Sequence, residues 1–390
     1  MRRNVLLLAI CQALYMTGTS TVLTVTAVAG ARLAPTPLLA TLPFSLQFLA
    51  TMATTIPASL LMRRIGRRRG FLIGTGIGAT AASIAAWGLA SNAFALFALG
   101  SGLIGVLNGF AVFYRFAAAD AADDAFRSRA ISLVMAGGVI AAFTGPNLAR
   151  VSADWIAAAP FAGSFAAVVV VHITAMVVLF GINIPHDRAG VGAGSGRPLP
   201  AIVRDPVFAT ALGAAAAGYA AMNLIMTATP PAMLAHGHTF SDAAFVIQWH
   251  IVGMFAPAFL TGSLIARFGA TRIIAAGAAL IIACVAINLA GRDSAHFVAA
   301  LALLGVGWNF MFVAATALIG SAHTAAEKAK VQGINDFVVF SAVALASFSS
   351  GALEATIGWS AVNLAVVLPV AVAGAAAVWL GGRRRRAVPG

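Results

Sequence analysis

The chain reads as a succession of apolar runs of 19 to 26 residues, separated by short polar segments that carry most of its charge. Twelve such runs stand out, at 5–29, 38–62, 70–90, 93–116, 130–151, 160–183, 206–230, 241–266, 273–291, 296–320, 331–353 and 359–380. A bilayer core about 30 Å thick needs roughly 20 apolar residues per helix, and each run supplies them. Lipid offers no partner to an open strand edge, so the runs predict helices rather than sheet. The expected class is an all-α membrane protein with twelve transmembrane helices. Composition agrees: 61% of residues are hydrophobic and 9% charged, where soluble domains carry about 25% charged residues.

The formal net charge of +13 would suggest nucleic acid in a soluble protein, but its placement points elsewhere. With both termini cytoplasmic, 20 of the 24 Lys and Arg fall in cytoplasmic segments, as the positive-inside rule requires. They crowd at Arg2 and Arg3, at Arg63 to Arg69, and at Arg383 to Arg386. These loops orient the chain and meet anionic lipid, so the expected partner is the bilayer and not nucleic acid. The first run has a signal-like flavour, with Arg2 and Arg3 before an apolar core and Ala27-Val28-Ala29 at its end. It is too long for a signal core, however, and carries Thr17, Thr21 and Thr24 on one face, so we read it as the first span.

Internal repetition sets the architecture. Arg63-Arg64-Ile65-Gly66-Arg67-Arg68 follows the second run, and Arg267-Phe268-Gly269-Ala270-Thr271-Arg272 follows the eighth, about 200 residues later. At nearly the same offset Asn108 corresponds to Asn309, and Arg127-Ser128-Arg129 to Lys328-Ala329-Lys330. The expected organisation is a six-helix half over 1–184, a polar Gly-rich linker over 185–204 and a second half over 205–390. Two parallel six-helix repeats resemble the layout of major facilitator transporters. Gly262-x-Leu264-x-x-Arg267-x-Gly269 is similar to that family's loop between the second and third helices of each half. The first copy departs from it, with Ser59 for the usual Gly and Arg63 for the usual Asp, and the second has Ala266 at the acidic position. Charge-relay gating of the family's usual kind is therefore not expected at this loop. Gly145-Pro146 matches only part of a motif of drug exporters.

Candidate chemistry is sparse. Met222-x-x-x-Met226 in the seventh run and His250-x-x-x-Met254 in the eighth each place two donors on one helical stripe. Both pairs lie roughly 13 Å below the outer surface, the depth of transporter binding sites. Thioether and imidazole suit copper(I) better than harder ions. Met at helical spacing is also ordinary gap-filling, and a polar contact to an organic substrate is the third reading. The four residues and their spacing resemble the signature of CcoA-type bacterial copper importers, which supply copper for cbb-type haem–copper oxidase assembly. That resemblance implies a copper importer of the bacterial inner membrane, with Met222, Met226, His250 and Met254 binding copper as transported substrate. No tightly bound cofactor is expected, and a cytoplasmic copper chaperone or reductase would be a partner. His250 must be neutral to ligate, so copper uptake should fall at acid pH.

Close relatives of the same fold carry riboflavin, so an organic-solute transporter for a flavin or drug is the first alternative. A non-transporting copper sensor or assembly partner is the second. Met233, His236 and His238 form a candidate copper-capture group at the mouth, against ordinary loop polarity. Asp336 is a candidate coupling residue, against a satisfied polar contact. Asp120, Asp123 and Asp124 are expected to pair with loop arginines. Cys11 and Cys284 fall in different halves and suggest no disulfide. Gly100-x-Gly102-x-x-Gly105 matches a dinucleotide fingerprint but has no strand before it, so close helix packing is expected instead. No enzyme motif is present, and a membrane enzyme is not expected.

Overall fold

A computed structural model describes residues 2–123, 126–184, 196–324 and 327–386. Most of the expected linker, with Arg188, and the acid Asp124 lie outside the described residues. Among those described, every regular element is helical. Twelve spans follow: α1 (Arg2–Leu33), α2 (Leu42–Ile65), α3 (Arg67–Ala90), α4 (Phe94–Ala111, continued by Tyr114–Asp120) and α5 (Arg127–Met135 then Gly137–Ser152). They continue with α6 (Ala162–Phe180), α7 (Pro206–Ala235), α8 (Phe240–Phe255 then Ala258–Phe268), α9 (Ala270–Ala290), α10 (Ser294–Gly320), α11 (Lys328–Thr356) and α12 (Trp359–Ala365 then Val367–Arg386). Eleven helical stretches are long and apolar enough to cross a membrane, and the bent α8 makes twelve.

The breaks have local causes. Pro257 has no N–H to donate and stops the first piece of α8, which then bends by 41°. Asn309 of α10 stabilises that bend, donating through Nδ2 to the Met254 carbonyl at 2.7 Å and accepting from Thr261 Oγ1 at 2.6 Å. Gly66 between α2 and α3 has φ 90° and ψ 154°, and Gly269 between α8 and α9 has φ 87° and ψ 147°. Only glycine takes this conformation readily, so the repeated loop motif is a repeated backbone turn. An added Cβ on Gly269 meets nothing within 4 Å, so its replacement carries backbone strain without a clash. Gly269→Ala should destabilise the chain by about 1–3 kcal/mol. A thermal melt read by a thiol-reactive dye measures this, since Cys11 and Cys284 are both free and buried until the chain unfolds.

Packing repeats as the turns do. α1 packs on α5 and α7 on α11; α2 packs on α4 and α8 on α10; α3 packs on α4 and α6, and α9 on α10 and α12. Small residues allow the closest crossings, as in many membrane bundles. Gly100 faces Ala81 and Ala85 of α3, and Gly105 faces the Gln47 carbonyl of α2. The glycine pattern at 100–105 is thus helix packing, as its apolar setting implied. In the second half Gly305 of α10 faces the His250 carbonyl of α8, and Gly253 of α8 faces Ala302 of α10. The threonines of α1 pack rather than face water: Thr17 bonds Thr144 of α5 at 2.6 Å, and Thr21 donates to the Gly145 carbonyl at 3.1 Å.

Charged ties sit at the arginine-rich face. Arg67 pairs with Asp120 at 2.5 Å, joining the α2–α3 turn to the end of α4. Arg197, at the end of the linker, holds Glu327 through Nε at 2.8 Å and Nη2 at 3.1 Å, and its backbone N–H donates to the same carboxylate at 2.9 Å. The Thr324 N–H adds a fourth bond at 3.0 Å. Arg197 and these donors hold the Glu327 carboxyl well below the usual carboxylate range. The linker is therefore pinned to the start of α11.

Candidate functional site between the two halves

The halves meet through α2 with α11, α5 with α8, and α1 with α7. Several ties lie toward the face away from the basic loops. Thr41 donates to the Phe348 carbonyl at 3.1 Å and accepts from the Gly351 N–H at 3.4 Å. Asn147 Nδ2 donates to Gln248 Oε1 at 2.8 Å, and the Phe161 and Phe240 rings meet edge to face at 4.9 Å. A cavity of about 160 Å³ remains there, lined by Ala31, Pro37, Thr41, Pro231, Gly351 and Glu354. Ligand clefts usually start near 300 Å³, so this cavity is too small to admit a multi-ring solute. At the basic face, Arg115 of α4 and Asp336 of α11 lie within electrostatic range of each other across the seam. Asp336 also accepts from Asn335 Nδ2 at 3.1 Å.

The four residues of the two Met and His pairs all belong to the apolar core of the second half or lie within it. Met222 is 2% exposed, Met226 3%, Met254 9% and His250 0%. His250 donates through Nδ1 to the Leu301 carbonyl of α10 at 2.9 Å, which fixes its tautomer and leaves Nε2 as an acceptor with no protein partner. Among the described residues no group of three or more His, Cys, Asp or Glu could hold a metal ion. A metal here would rest on methionine sulfur and this one nitrogen. The first half places Gln47 where the second has His250: each backbone carbonyl faces a glycine of the fourth span in its half, Gly105 or Gly305. Gln47 is 3% exposed and its Nε2 also lacks a partner.

Of the candidate mouth group, Met233 is buried inside α7. His236 donates through Nδ1 to the Ala232 carbonyl at 2.7 Å and accepts from Arg292 Nη1 at 2.8 Å. His238 donates through Nε2 to the Arg292 carbonyl at 2.7 Å and accepts from Ser294 Oγ at 3.3 Å. All four ring nitrogens are occupied, and the two histidines tie the α7–α8 turn to the start of α10.

The structure adds a feature that the donor spacings do not show. Of the chain's three tyrosines, Tyr15 and Tyr219 lie near the middle of their helices. Tyr219 of α7 meets Trp308 of α10 edge to face at 5.2 Å and Phe312 at 5.4 Å, and Trp308 stacks on Phe312 at 5.3 Å with 9° between planes. In the first half Tyr15 of α1 lies 6.3 Å from Tyr114, which in turn lies 4.4 Å from Phe71. Tyr15 and Tyr219 are within electrostatic range of each other across the seam. The sequence held one signal for them: each stands thirteen residues into the first span of its half, about 20 Å along the helix.

Known proteins match the chain along most of its length. The chain is 44% identical over 371 residues to the riboflavin transporter RfnT of Brucella anthropi, covering 95% of this chain and 93% of the relative. It is 31% identical over 385 residues to the uncharacterized MFS-type transporter YdeG of Bacillus subtilis, covering 91% and 86%. Among solved structures, a D-xylose-proton symporter superposes with a TM-score of 0.73 at 14% identity, covering 95% and 96% of the two chains. An auto-inhibited POT family peptide transporter superposes with a TM-score of 0.69 at 14% identity, covering 98% and 97%. These two share the fold. The Major Facilitator Superfamily model matches residues 8–290, and with that match and these relatives the chain belongs to the Major Facilitator Superfamily, a multi-pass membrane transporter rather than an enzyme.

Proposed function

We propose that the chain carries riboflavin or a close flavin across the bacterial inner membrane, with both termini cytoplasmic, by alternating access between its two halves. The observation that carries this reading is the 44% identity to a riboflavin transporter along 95% of the chain. The aromatic residues at mid-depth suit a flat, multi-ring solute better than a bare ion. This inverts the order of the sequence reading, in which copper came first and a flavin second. Spacing of sulfur and nitrogen donors had favoured copper; identity spread along the whole chain weighs more than four positions. Growth rescue tests it: the wild-type chain should let a riboflavin auxotroph without its own flavin carrier grow on micromolar riboflavin. No rescue by protein that reaches the membrane would remove the reading.

Copper remains the second reading, on one observation. His250 Nε2 has no protein partner in a buried, apolar setting while Nδ1 is tied to a carbonyl, the arrangement that metal-ligating histidines use. Under the flavin reading, cellular copper is the same with the wild-type chain and with Met222→Ala, Met226→Ala, His250→Ala and Met254→Ala. A fall in copper in these variants would restore the copper assignment.

Coupling is assigned to Asp336, the carboxylate that looks across the seam toward Arg115. Asp336→Asn should leave exchange of flavin between the two sides intact while removing accumulation driven by a proton gradient. Accumulation at the wild-type level would show that Asp336 only makes a polar contact.

A further inference from the structure

We propose that Tyr15 and Tyr219 form the two walls of a slot for a planar heteroaromatic ring, with Trp308 and Phe312 packed beside Tyr219 and Trp308 Nε1 donating to a ring carbonyl or nitrogen. This deepens the flavin reading and rests on it. Three independent features converge on the slot. The first is symmetry. Tyr15 and Tyr219 occupy equivalent positions of α1 and α7, spans that touch across the seam. Alternating access moves the halves about a site near that axis, so a ring held between these tyrosines keeps contact with both halves.

The second is shape. Tyr219, Trp308 and Phe312 support one another edge to face and face to face, which fixes the Tyr219 ring before any ligand arrives. Tyr219 and Phe312 stay partly exposed while Trp308 is 7% exposed. Part of the Tyr219 ring is therefore left open while the indole is almost covered. Trp308 sits fourteen residues into α10, about 21 Å from that helix's start, near the depth of the two tyrosines counted from the opposite face.

The third is an unmet polar group. Trp308 Nε1 is buried and has no hydrogen-bond partner. A buried N–H without an acceptor is unfavourable, and phenylalanine would pack there without it. Asn223, four residues beyond Tyr219 on the same face of α7, is fully buried with its Nδ2 also unpartnered. Two donors in an otherwise apolar aromatic setting suit a ring edge rich in acceptors. A flavin ring, with two carbonyls and bare ring nitrogens, has that edge; a sugar has no flat face to offer.

The test uses the purified full-length chain and the quenching of flavin fluorescence that follows stacking on tyrosine or tryptophan. Wild type should quench riboflavin saturably. Lumichrome, the ring without its side chain, should compete, and ribitol, the side chain alone, should not. Tyr219→Leu and Trp308→Leu should weaken binding by about tenfold or more, the scale of losing one aromatic stacking partner. Trp308→Phe should keep more of the affinity than Trp308→Leu. If either leucine variant fails the thiol-dye melt, Trp308→Phe, Tyr219→Phe and the wild-type competition profile decide. Leucine variants that bind within about twofold of wild type, or competition by ribitol but not lumichrome, would overturn the slot while leaving flavin transport standing. No binding of riboflavin or lumichrome by folded wild type would remove both.

Discussion

A valine at Gly305 should leave no folded carrier in the membrane, and the same change at Gly105 should do so in the other half. At Gly305 an added Cβ would run into the His250 carbonyl and lie 2.8 Å from the Met254 nitrogen. At Gly105 it would run into the Gln47 carbonyl and lie 2.8 Å from that residue's carbonyl carbon. Both obstacles are helix backbone, which cannot swing aside as a side chain does. Overpacking in a core usually costs about 1–3 kcal/mol because side chains and backbone shift to absorb it. Here relief requires moving one span off another, α8 off α10 or α2 off α4, and with it the contacts along their whole crossing. The measurement is the amount of monodisperse protein extracted from membranes. Both valines should give near-complete loss, and Gly213→Val, where an added Cβ meets nothing within 4 Å, should accumulate near wild type.

Asn309→Leu should yield a protein that inserts but melts earlier and transports poorly. The side chain is 2% exposed and serves both pieces of α8, taking the Met254 carbonyl before the break and Thr261 after it. Leucine strands the Met254 carbonyl, while Thr261 Oγ1 keeps the Pro257 carbonyl at 2.8 Å; a buried polar group left without a partner costs about 1–3 kcal/mol. Hydrogen bonds between membrane helices average nearer 0.6 kcal/mol, which places the expected loss at about 1–3 kcal/mol in total. The bend of α8 lies one turn beyond Met254 and against the seam with α5, so movement there also disturbs the contact between halves. Asn309→Asp, which burial keeps protonated, can still accept from Thr261 and donate its O–H to the Met254 carbonyl, and should fall between wild type and leucine in the dye melt.

Much of the fold could be read from the pattern of apolar runs. All twelve expected spans correspond to helical spans, because a bilayer-length apolar run has few other fates in lipid. The repeated Arg-rich turn was legible because its glycine is required by the positive φ of Gly66 and Gly269. The break in α8 was less so: Pro257 announces a kink, but only the partner helix shows that Asn309 holds it. The site was harder. Four-residue spacing of Met222 and Met226 places them on one stripe, yet every residue from 221 to 230 is buried. A helix buried all round gives no stripe special status. Tyr15 and Tyr219 carry no local motif at all; they become visible only when the two halves are laid over one another. The aromatic partners of Tyr219 come from α10, about 90 residues further on, and no local pattern connects them.

The direct test of the central claim is exchange of labelled riboflavin by the purified chain in liposomes preloaded with unlabelled riboflavin. Flavin carriage through a site between the halves predicts saturable exchange that lumichrome blocks and copper leaves unchanged. Liposomes holding folded chain that exchange no flavin, while copper equilibrates across them, would contradict it.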